Sequence, residues 1–345
     1  MRPLNGLLCL IGFGLTFVGC PCVRSIVNNN PELRYKLFAE EGAKKICPDL
    51  QWKGIPLKIS SYGPDTVGHF FTTGCQVTMN DADKTMRVDL SGTGYAALPL
   101  VRRVGFFAKM SVIYKPDFRM ESDAIYVWGT YHAVAAPPEL RIIGAENPLV
   151  QLANATPIGN LGTSISQSLM EGELVKGFTV IQADDGSEEF AIGHLDPPAR
   201  VPKLFSTKKG RYVVSQDTAE LRASTRIFIG PIKLPKDTKF SFRIKTEGAP
   251  ISYGLYDLRS VPWRQAYEQG APLTAPPPVP PMYTGMITQG GPVDIEIPFP
   301  APLPVASDAY FLVLQNHAPP PTNALGLTVG FEAVAKASYV LEATR

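Results

Sequence analysis

Residues 239–245 read KFSFRIK, and this stretch decides the fold of the carboxyl-terminal part of the chain. Apolar and polar residues alternate along it, so an extended backbone would carry one apolar and one polar face. Such alternation is typical of an antiparallel strand that covers a core with one face and meets water with the other. The same period of two recurs in residues 293–297, VDIEI, and in residues 325–331, LGLTVGF.

The neighbouring sequence extends this pattern to a whole domain. Residues 310–314, YFLVL, form a continuous apolar run, which predicts a central strand. Turns rich in proline and glycine separate the strands, and the chain holds 33 prolines in 345 residues. Because proline is poorly tolerated inside helices, long helices are not expected. We therefore predict an all-β domain over residues 213–345, a β-sandwich of the jelly-roll kind.

Residues 30–200 predict a different, α+β domain with two helices. Asn30 followed by Pro31 is typical of a helix start, and Pro48 predicts the end of this helix. Apolar residues at helical spacing in residues 158–169 predict the second helix.

The segment between these two helices predicts strands. Two long ones are expected at residues 104–114 and 124–134, joined by a turn at residues 115–117. Prolines and a Lys-Lys-Gly step in residues 201–212 predict a linker to the second domain. The predicted fold class is therefore mainly β: a mixed β domain with two helices, followed by a β-sandwich or jelly-roll-like domain.

Charge and motifs exclude several classes of function. The chain has 33 Lys and Arg against 31 Asp and Glu, without a basic run, which argues against nucleic-acid binding. It contains no GxSxG, HExxH or P-loop motif, and no GxGxxG after a strand. Its four histidines are far apart in sequence and it has no CxxC pair, so no metal site is predicted. We expect a protein that is not an enzyme and that uses no cofactor.

The amino terminus predicts export and lipidation. Residues 7–18 form an apolar run that is too short to span a bilayer, which takes about 20 residues, but suits the core of a signal peptide. Residues 17–20, FVGC, follow it and resemble the lipobox of bacterial lipoproteins. The resemblance implies cleavage before Cys20, a diacylglycerol on its thiol, and acylation of the new amino group, for example with palmitate.

This resemblance also implies a location. Residues 1–19 would be the signal peptide and residues 20–29 a lipidated tether, with the protein held in the bacterial cell envelope. Two or more acyl chains anchor a protein stably, where a single chain binds reversibly. Pro21 in place of aspartate after the lipidated cysteine favours the outer membrane, under the sorting rule of some bacterial lipoproteins. The alternatives are an ordinary secretory signal with an incidental Cys20, or an uncleaved amino-terminal segment.

The remaining cysteines fit an oxidising compartment. Cys47 and Cys75 can pair as a disulfide in a periplasm, and the alternative is two separate buried thiols. Cys22 lies two residues after the lipidated position and is either free or acylated.

Three functions remain open. The first is a lipid-anchored envelope protein with a structural or interaction role, whose partners are the membrane and an unknown envelope protein or lipid. The second is a carrier of lipid or another hydrophobic ligand. It is suggested by residues 124–134, where both strand faces are apolar or aromatic, so that Tyr126, Trp128 and His132 would line a cavity.

The third is a carbohydrate-binding sandwich. Trp263 and Tyr267 lie in an aromatic cluster between predicted strands, and exposed rings there would stack on sugars.

Overall fold

The computed structural model describes most of the chain from Pro21 onward. The described residues are 21–59, 63–98, 102–146, 174–184, 188–207, 210–233, 239–271, 275–288, 290–297, 309–319 and 333–344. Four predicted features lie outside them: the signal peptide, the lipidated Cys20, the helix at residues 158–169 and the strand at residues 325–331. Within the described residues the chain is mainly β with few helices, as predicted.

Three helices open the first unit. They are α1 (Pro21–Asn28), α2 (Pro31–Leu37) and α3 (Ala43–Lys53), and a π-helical turn (Phe38–Gly42) joins α2 to α3. The predicted start of α2 is confirmed, because the Asn30 side chain accepts a hydrogen bond from the Leu33 N–H at 3.1 Å. Most of the segment predicted as a tether is helix α1.

The first predicted helix does not end at Pro48, so this part of the prediction is wrong. Pro48 lies inside α3, which continues to a glycine, Gly54, with a φ of 65°. A proline inside a helix removes one backbone hydrogen bond and typically costs about 3 kcal/mol. Tertiary bonding offsets that cost, because the preceding residue, Cys47, is joined covalently to Cys75 in the sheet.

Seven antiparallel strands follow and pair in chain order. They are β1 (Ile55–Leu57), β2 (Gly68–Asn80), β3 (Thr85–Leu98), β4 (Arg102–Met120), β5 (Ala124–Ala145), β6 (Phe178–Ala183) and β7 (Glu188–Ile192). One face of this sheet packs with the helices around a core that includes Phe38, Phe70 and Phe106.

The predicted turn at residues 115–117 is wrong, because β4 runs through it to Met120. The pairing of β3 with β4 stops at Tyr114, so Pro116 has a strand neighbour only on the β5 side, where it lies opposite Gly129. A strand tolerates proline best where it lacks a neighbour on one side, because fewer ladder hydrogen bonds then depend on an N–H at that position. The actual turn is at residues 121–123.

In the second unit, the described residues form eight strands and a short helix. The strands are β8 (Arg211–Leu221), β9 (Thr225–Lys233), β10 (Lys239–Gly248), β11 (Ile251–Asp257), β12 (Tyr283–Ile287), β13 (Gly290–Ile297), β14 (Ala309–Asn316) and β15 (Ala335–Thr344). A 3₁₀ turn (Leu258–Ser260) and helix α4 (Val261–Glu268) lie between β11 and β12. The two sheets have the orders β13-β10-β15-β8 and β12-β11-β14-β9, the arrangement of a jelly roll. The predicted fold of this unit is confirmed.

The alternating strand that predicted this unit is β10. Its Phe242 and Ile244 are fully buried between the sheets, and Phe242 lies opposite Leu341 of β15. The apolar run at residues 310–314 lies in β14, which is central between β11 and β9, as predicted.

The segment before the second unit lies along the jelly roll. The Leu204 N–H donates to Gln216 at 3.0 Å, and the Gln216 side chain donates to the Pro202 carbonyl at 2.8 Å. Strand β8 begins at Arg211, within the residues predicted as linker.

Candidate functional site

The predicted disulfide is present and fastens the helices to the sheet. Cys47 of α3 and Cys75 of β2 are bonded, with their Cα atoms 5.5 Å apart. They are separated by 28 positions in sequence, and a closed loop of this size stabilises the fold by about 3–4 kcal/mol on a chain-entropy account.

Helix α1 begins at the residue that follows Cys20 and is attached to the end of β4. The Asn28 side-chain amide donates to the Met120 carbonyl at 2.8 Å, and its oxygen accepts from the Met120 N–H at 2.9 Å. Val27 is buried against the core of the first unit. Arg34 donates to the Asn28 carbonyl and pairs with Asp117 of β4, with Nε and Oδ1 2.7 Å apart. The helix therefore has a fixed orientation relative to the sheet.

The opposite face of α1 is exposed. It consists of Pro21, Cys22, Ser25 and Ile26, and Ile26 has 63% of its surface open to solvent. Cys22 is a free thiol. Among the described residues, Ile26 is one of six large apolar side chains that are exposed.

A second feature is the junction between the two units, where tyrosine hydroxyls cover the edge strand β9. The Phe228 N–H donates to the hydroxyl of Tyr95 of β3 at 2.7 Å. The Arg226 N–H donates to the hydroxyl of Tyr267 of α4 at 2.9 Å, and that hydroxyl donates to the Arg226 carbonyl at 3.2 Å. Burial raises the pKa of both Tyr95 and Tyr267, so the hydroxyls keep their protons. Unpaired edge groups, which otherwise invite aggregation, are satisfied here.

The edge of the other sheet, β8, is covered by the segment before β2. Thr66 pairs in parallel with Ala219: the Thr66 N–H donates to the Thr218 carbonyl at 2.9 Å, and the Glu220 N–H donates to the Thr66 carbonyl at 2.9 Å. The Thr66 hydroxyl also donates to Asp217 at 2.5 Å. The first unit thus covers the adjacent edges of both jelly-roll sheets on one side.

Helix α4 brings a buried ion pair to this junction. Arg264 donates to Glu268, and the hydroxyl of Thr93 of β3 donates to the other Glu268 oxygen at 2.6 Å. The Arg264 guanidinium lies 3.9 Å from the centre of the Phe71 ring. Burial raises the pKa of Glu268, and the cationic Arg264 opposes that rise. A buried pair of this kind favours one arrangement of its elements, because separating the partners would leave a buried charge alone.

The backbone of α4 also lies directly on the first sheet. Arg103 of β4 is buried, donates to the Ala271 carbonyl at 2.8 Å and stacks on the Tyr267 ring, 4.2 Å from its centre. A Cβ atom added at Gly144 of β5 would lie 2.3 Å from the carbonyl carbon of Gln269. Only glycine allows the two backbones to approach so closely.

The two residues predicted to stack on sugars belong to this junction. Trp263 is 6% exposed and Tyr267 is 2% exposed. The Trp263 ring is flanked by Phe228, with centroids 5.3 Å apart, and by the Arg226 guanidinium at 4.5 Å. Its indole N–H donates to the Ala275 carbonyl at 3.0 Å. Neither ring presents an open face, so their placement does not support the sugar-stacking hypothesis.

Of the three residues predicted to line a cavity, Tyr126 and Trp128 pack in one small cluster, and His132 lies apart from them on the surface. Tyr126 is buried beside Ile181, and Trp128 is half-buried with its ring edge-on to His194 at 4.8 Å. His132 is exposed. The structure therefore does not place the three side chains in one shared environment.

A pair that the sequence did not indicate lies on the outer face of the jelly roll. Ser252 Oγ of β11 lies 2.6 Å from His317 Nε2, just after β14. His317 Nδ1 lies 3.1 Å from Gln315 Nε2, while Gln315 Oε1 accepts from Arg226 Nε at 2.6 Å. Since Arg226 only donates, the Gln315 oxygen must face it and the Gln315 amide must donate to Nδ1.

This chain of hydrogen bonds determines the state of the imidazole. Nδ1 is an acceptor, so the neutral ring carries its proton on Nε2 and donates it to Ser252. A general base for a serine nucleophile needs the opposite tautomer, held by a carboxylate at Nδ1. Burial and the neighbouring Arg226 lower the pKa of His317, which also disfavours the charged form. The pair arises only from the register of two strands, and no local motif marks it in the sequence.

No protein-family model and no curated protein match the chain. Among solved structures, it is similar to a chain in the structure of Triatoma virus, with 9% sequence identity and a TM-score of 0.25. That match covers 49% of this chain and 84% of the viral chain. Similarity at this level carries no conclusion about fold or function.

Within the described part of the chain, no helix is both long and apolar enough to cross a bilayer. No group of three or more His, Cys, Asp or Glu side chains in the same part of the chain is arranged to hold a metal ion.

Proposed function

We propose that this protein is a lipid-anchored component of the bacterial cell envelope with a structural or interaction role and no catalytic activity. The observation that carries the proposal is the FVGC sequence at residues 17–20, and it is supported by the attachment of α1, which begins at Pro21, to β4 through Asn28. A lipid on Cys20 would hold the whole folded body at the membrane without a flexible spacer. Pro21 favours the outer membrane as its location.

The junction between the units supports the interaction role. The first unit covers the β8 and β9 edges of the jelly roll through Thr66, Tyr95 and the α4 ion pair. Two units joined in this way present their surfaces in a constant relative orientation. This favours recognition by a partner, because little conformational freedom is lost on binding. The partner proposed is another envelope protein or a lipid.

A proline-rich stretch adds a surface that suits this role. In residues 275–281, Pro276, Pro278 and Pro280 are exposed, and the stretch is held at its start by the Trp263 indole. Proline runs are extended and stiff, and grooves lined with aromatic residues recognise them.

The carrier and sugar-binding alternatives receive less support. Of the predicted cavity residues, Tyr126 and Trp128 pack in one small cluster, while His132 is exposed. The two predicted stacking residues, Trp263 and Tyr267, are both buried. We therefore retain the anchored, non-enzymatic role.

The test is fractionation of the full-length protein and of two variants expressed in a Gram-negative bacterium. Cys20→Ser should move the protein from the membrane to the soluble fraction, whereas Cys22→Ser should leave it in the membrane. Mass spectrometry of the amino-terminal peptide should show an acylated Cys20. A Cys20→Ser variant that still sediments with membranes, or a mature chain that begins elsewhere, would refute the anchored role.

A further inference from the structure

The exposed face of α1 carries an inference that rests on the proposed lipid anchor. Cys22 and Ile26 are one helical turn apart, so their side chains lie next to each other on this face. With a rise of 1.5 Å per residue, Ile26 lies about 7.5 Å along the axis from Pro21, the residue that follows Cys20 in sequence. Every residue of this face is therefore close to the proposed anchor.

The helix cannot turn this face inward. Val27 is buried in the core, and the Asn28 amide makes two hydrogen bonds to Met120. Both attachments lie on the side of the helix away from Ile26. The exposure of Ile26 is thus a property of the folded protein.

The charge of α1 suits a lipid surface. The helix contains no acidic residue, and its single charged side chain is that of Arg24. Arg24 is two positions from both Cys22 and Ile26, so it projects from the other side of the helix and leaves their face without a charge. An uncharged face with an exposed apolar side chain suits the boundary between lipid headgroups and acyl chains.

We propose that α1 lies along the bilayer surface, with Ile26 and Cys22 in the boundary between headgroups and acyl chains. In this orientation the anchor and the helix contact the membrane together. Because α1 is attached to β4, the contact sets the orientation of the whole sheet relative to the bilayer. A helix standing perpendicular to the membrane would instead place Ile26 in water.

A single environment-sensitive label tests this arrangement. Cys22→Ser combined with Ile26→Cys leaves one free thiol among the described residues, because Cys47 and Cys75 are bonded to each other. The full-length lipoprotein would be labelled there with a nitrobenzoxadiazole dye and reconstituted into vesicles of phosphatidylethanolamine and phosphatidylglycerol. The control carries the label at Met286→Cys in the same Cys22→Ser background, because Met286 is 66% exposed and lies on the jelly roll.

We expect aqueous iodide to quench the label at position 26 about fivefold less than the label at 286, and doxyl-labelled lipid to quench only the former. Equal iodide quenching at both positions, on a protein that mass spectrometry shows to be acylated, would overturn the inference and leave the anchor intact. A label at 26 that is shielded from iodide but unaffected by doxyl lipid would overturn it in favour of a protein contact. An unacylated protein that leaves the vesicles would refute the proposed function itself.

Discussion

The hydroxyl of Tyr95 accepts a hydrogen bond from the backbone N–H of Phe228 at 2.7 Å, across 133 residues of sequence. Tyr95 belongs to the first sheet, and Phe228 lies on the edge strand of the jelly roll. Both residues are buried, so without this hydroxyl the N–H would have neither a protein partner nor water. One side chain of the first unit thus completes the backbone bonding of the second.

Replacing Tyr95 by phenylalanine should therefore destabilise the protein. The ring would remain, but the Phe228 N–H would stay buried without an acceptor, which costs about 1–3 kcal/mol. The free energy of unfolding, measured by urea titration followed by circular dichroism, should fall by that amount.

Tyr131→Phe is the matched control for this change. Tyr131 packs, half-buried, against the core of the first unit and takes no part in the junction. Equal losses in the two variants would show that the Tyr95 hydroxyl contributes nothing specific.

Much of the second unit was predictable because its strands carry their own signal. The alternation around Phe242 indicates a strand with one face buried between two sheets, and the apolar run in β14 indicates a strand with neighbours on both sides. Both patterns arise from burial within one strand, so they can be recognised in a short stretch of sequence. The pairing of Cys47 with Cys75 was likewise predictable from the number of cysteines and the compartment that the sequence leads us to expect.

The junction was not predictable, because its bonds join residues that are far apart in sequence. An aromatic cluster such as Trp263 and Tyr267 has the same sequence whether it faces a sugar or a neighbouring unit. The predicted helix ended at Pro48 for a similar reason. The poor helix-forming tendency of proline can be read from the sequence, whereas the disulfide that fastens the preceding residue, Cys47, to the sheet depends on the tertiary structure. The attachment of α1 depends on Asn28 meeting Met120, which no pattern in residues 20–29 indicates.

Gly105→Ala should disrupt the junction. A Cβ atom at Gly105 of β4 would lie 1.5 Å from the carbonyl oxygen of Glu268, and backbone on both sides leaves little freedom to move. We expect a loss of about 3 kcal/mol or more from forced separation of α4 and the sheet. Thermal unfolding should occur at lower temperature, and limited proteolysis should cut faster within residues 201–207.

Gly74→Ala provides the comparison for that variant. A Cβ there would meet only the hydroxyl of Ser91, 2.4 Å away, at the movable end of a side chain. If Gly74→Ala proved as damaging as Gly105→Ala, close approach of α4 would not explain the effect.

His69 should make the protein sensitive to mild acid. Burial lowers the pKa of His69 to about 4; the charge of Asp217 opposes this shift and that of Lys58 adds to it. The rings of Phe71 and Tyr95 flank the imidazole. The unfolded chain takes up this proton near pH 6.5, so stability is complete above that pH and falls as the pH drops towards 4. The expected loss over that window is about 3 kcal/mol, at 1.36 kcal/mol per pH unit.

The measurement is urea unfolding at a series of pH values between 7 and 4, compared with His69→Phe, which cannot take up the proton. The variant should lose much less stability over this range. His317→Gln is the control, because the pKa of His317 is also lowered by burial, and this variant should keep the His69-dependent loss. A wild-type curve that is parallel to that of His69→Phe would exclude His69 as the cause.

Gln315→Glu should reverse the tautomer of His317. In the natural protein the Gln315 amide donates to Nδ1, so Nε2 carries the proton towards Ser252. A carboxylate at position 315 accepts from Nδ1–H instead, so Nε2 becomes an acceptor for the Ser252 hydroxyl. The same charge favours imidazolium and should raise the pKa of His317, which adds stability below that pKa and none above it. The ¹⁵N chemical shifts of the imidazole should show that the proton has moved from Nε2 to Nδ1, and a fluorophosphonate should label Ser252 faster than in the natural protein.

Gln315→Met is the control for this change. Methionine can neither donate nor accept a strong hydrogen bond, so this variant should show no preference for a proton on Nδ1. If Gln315→Glu kept the proton on Nε2, the Arg226–Gln315 orientation would not control the tautomer of the ring.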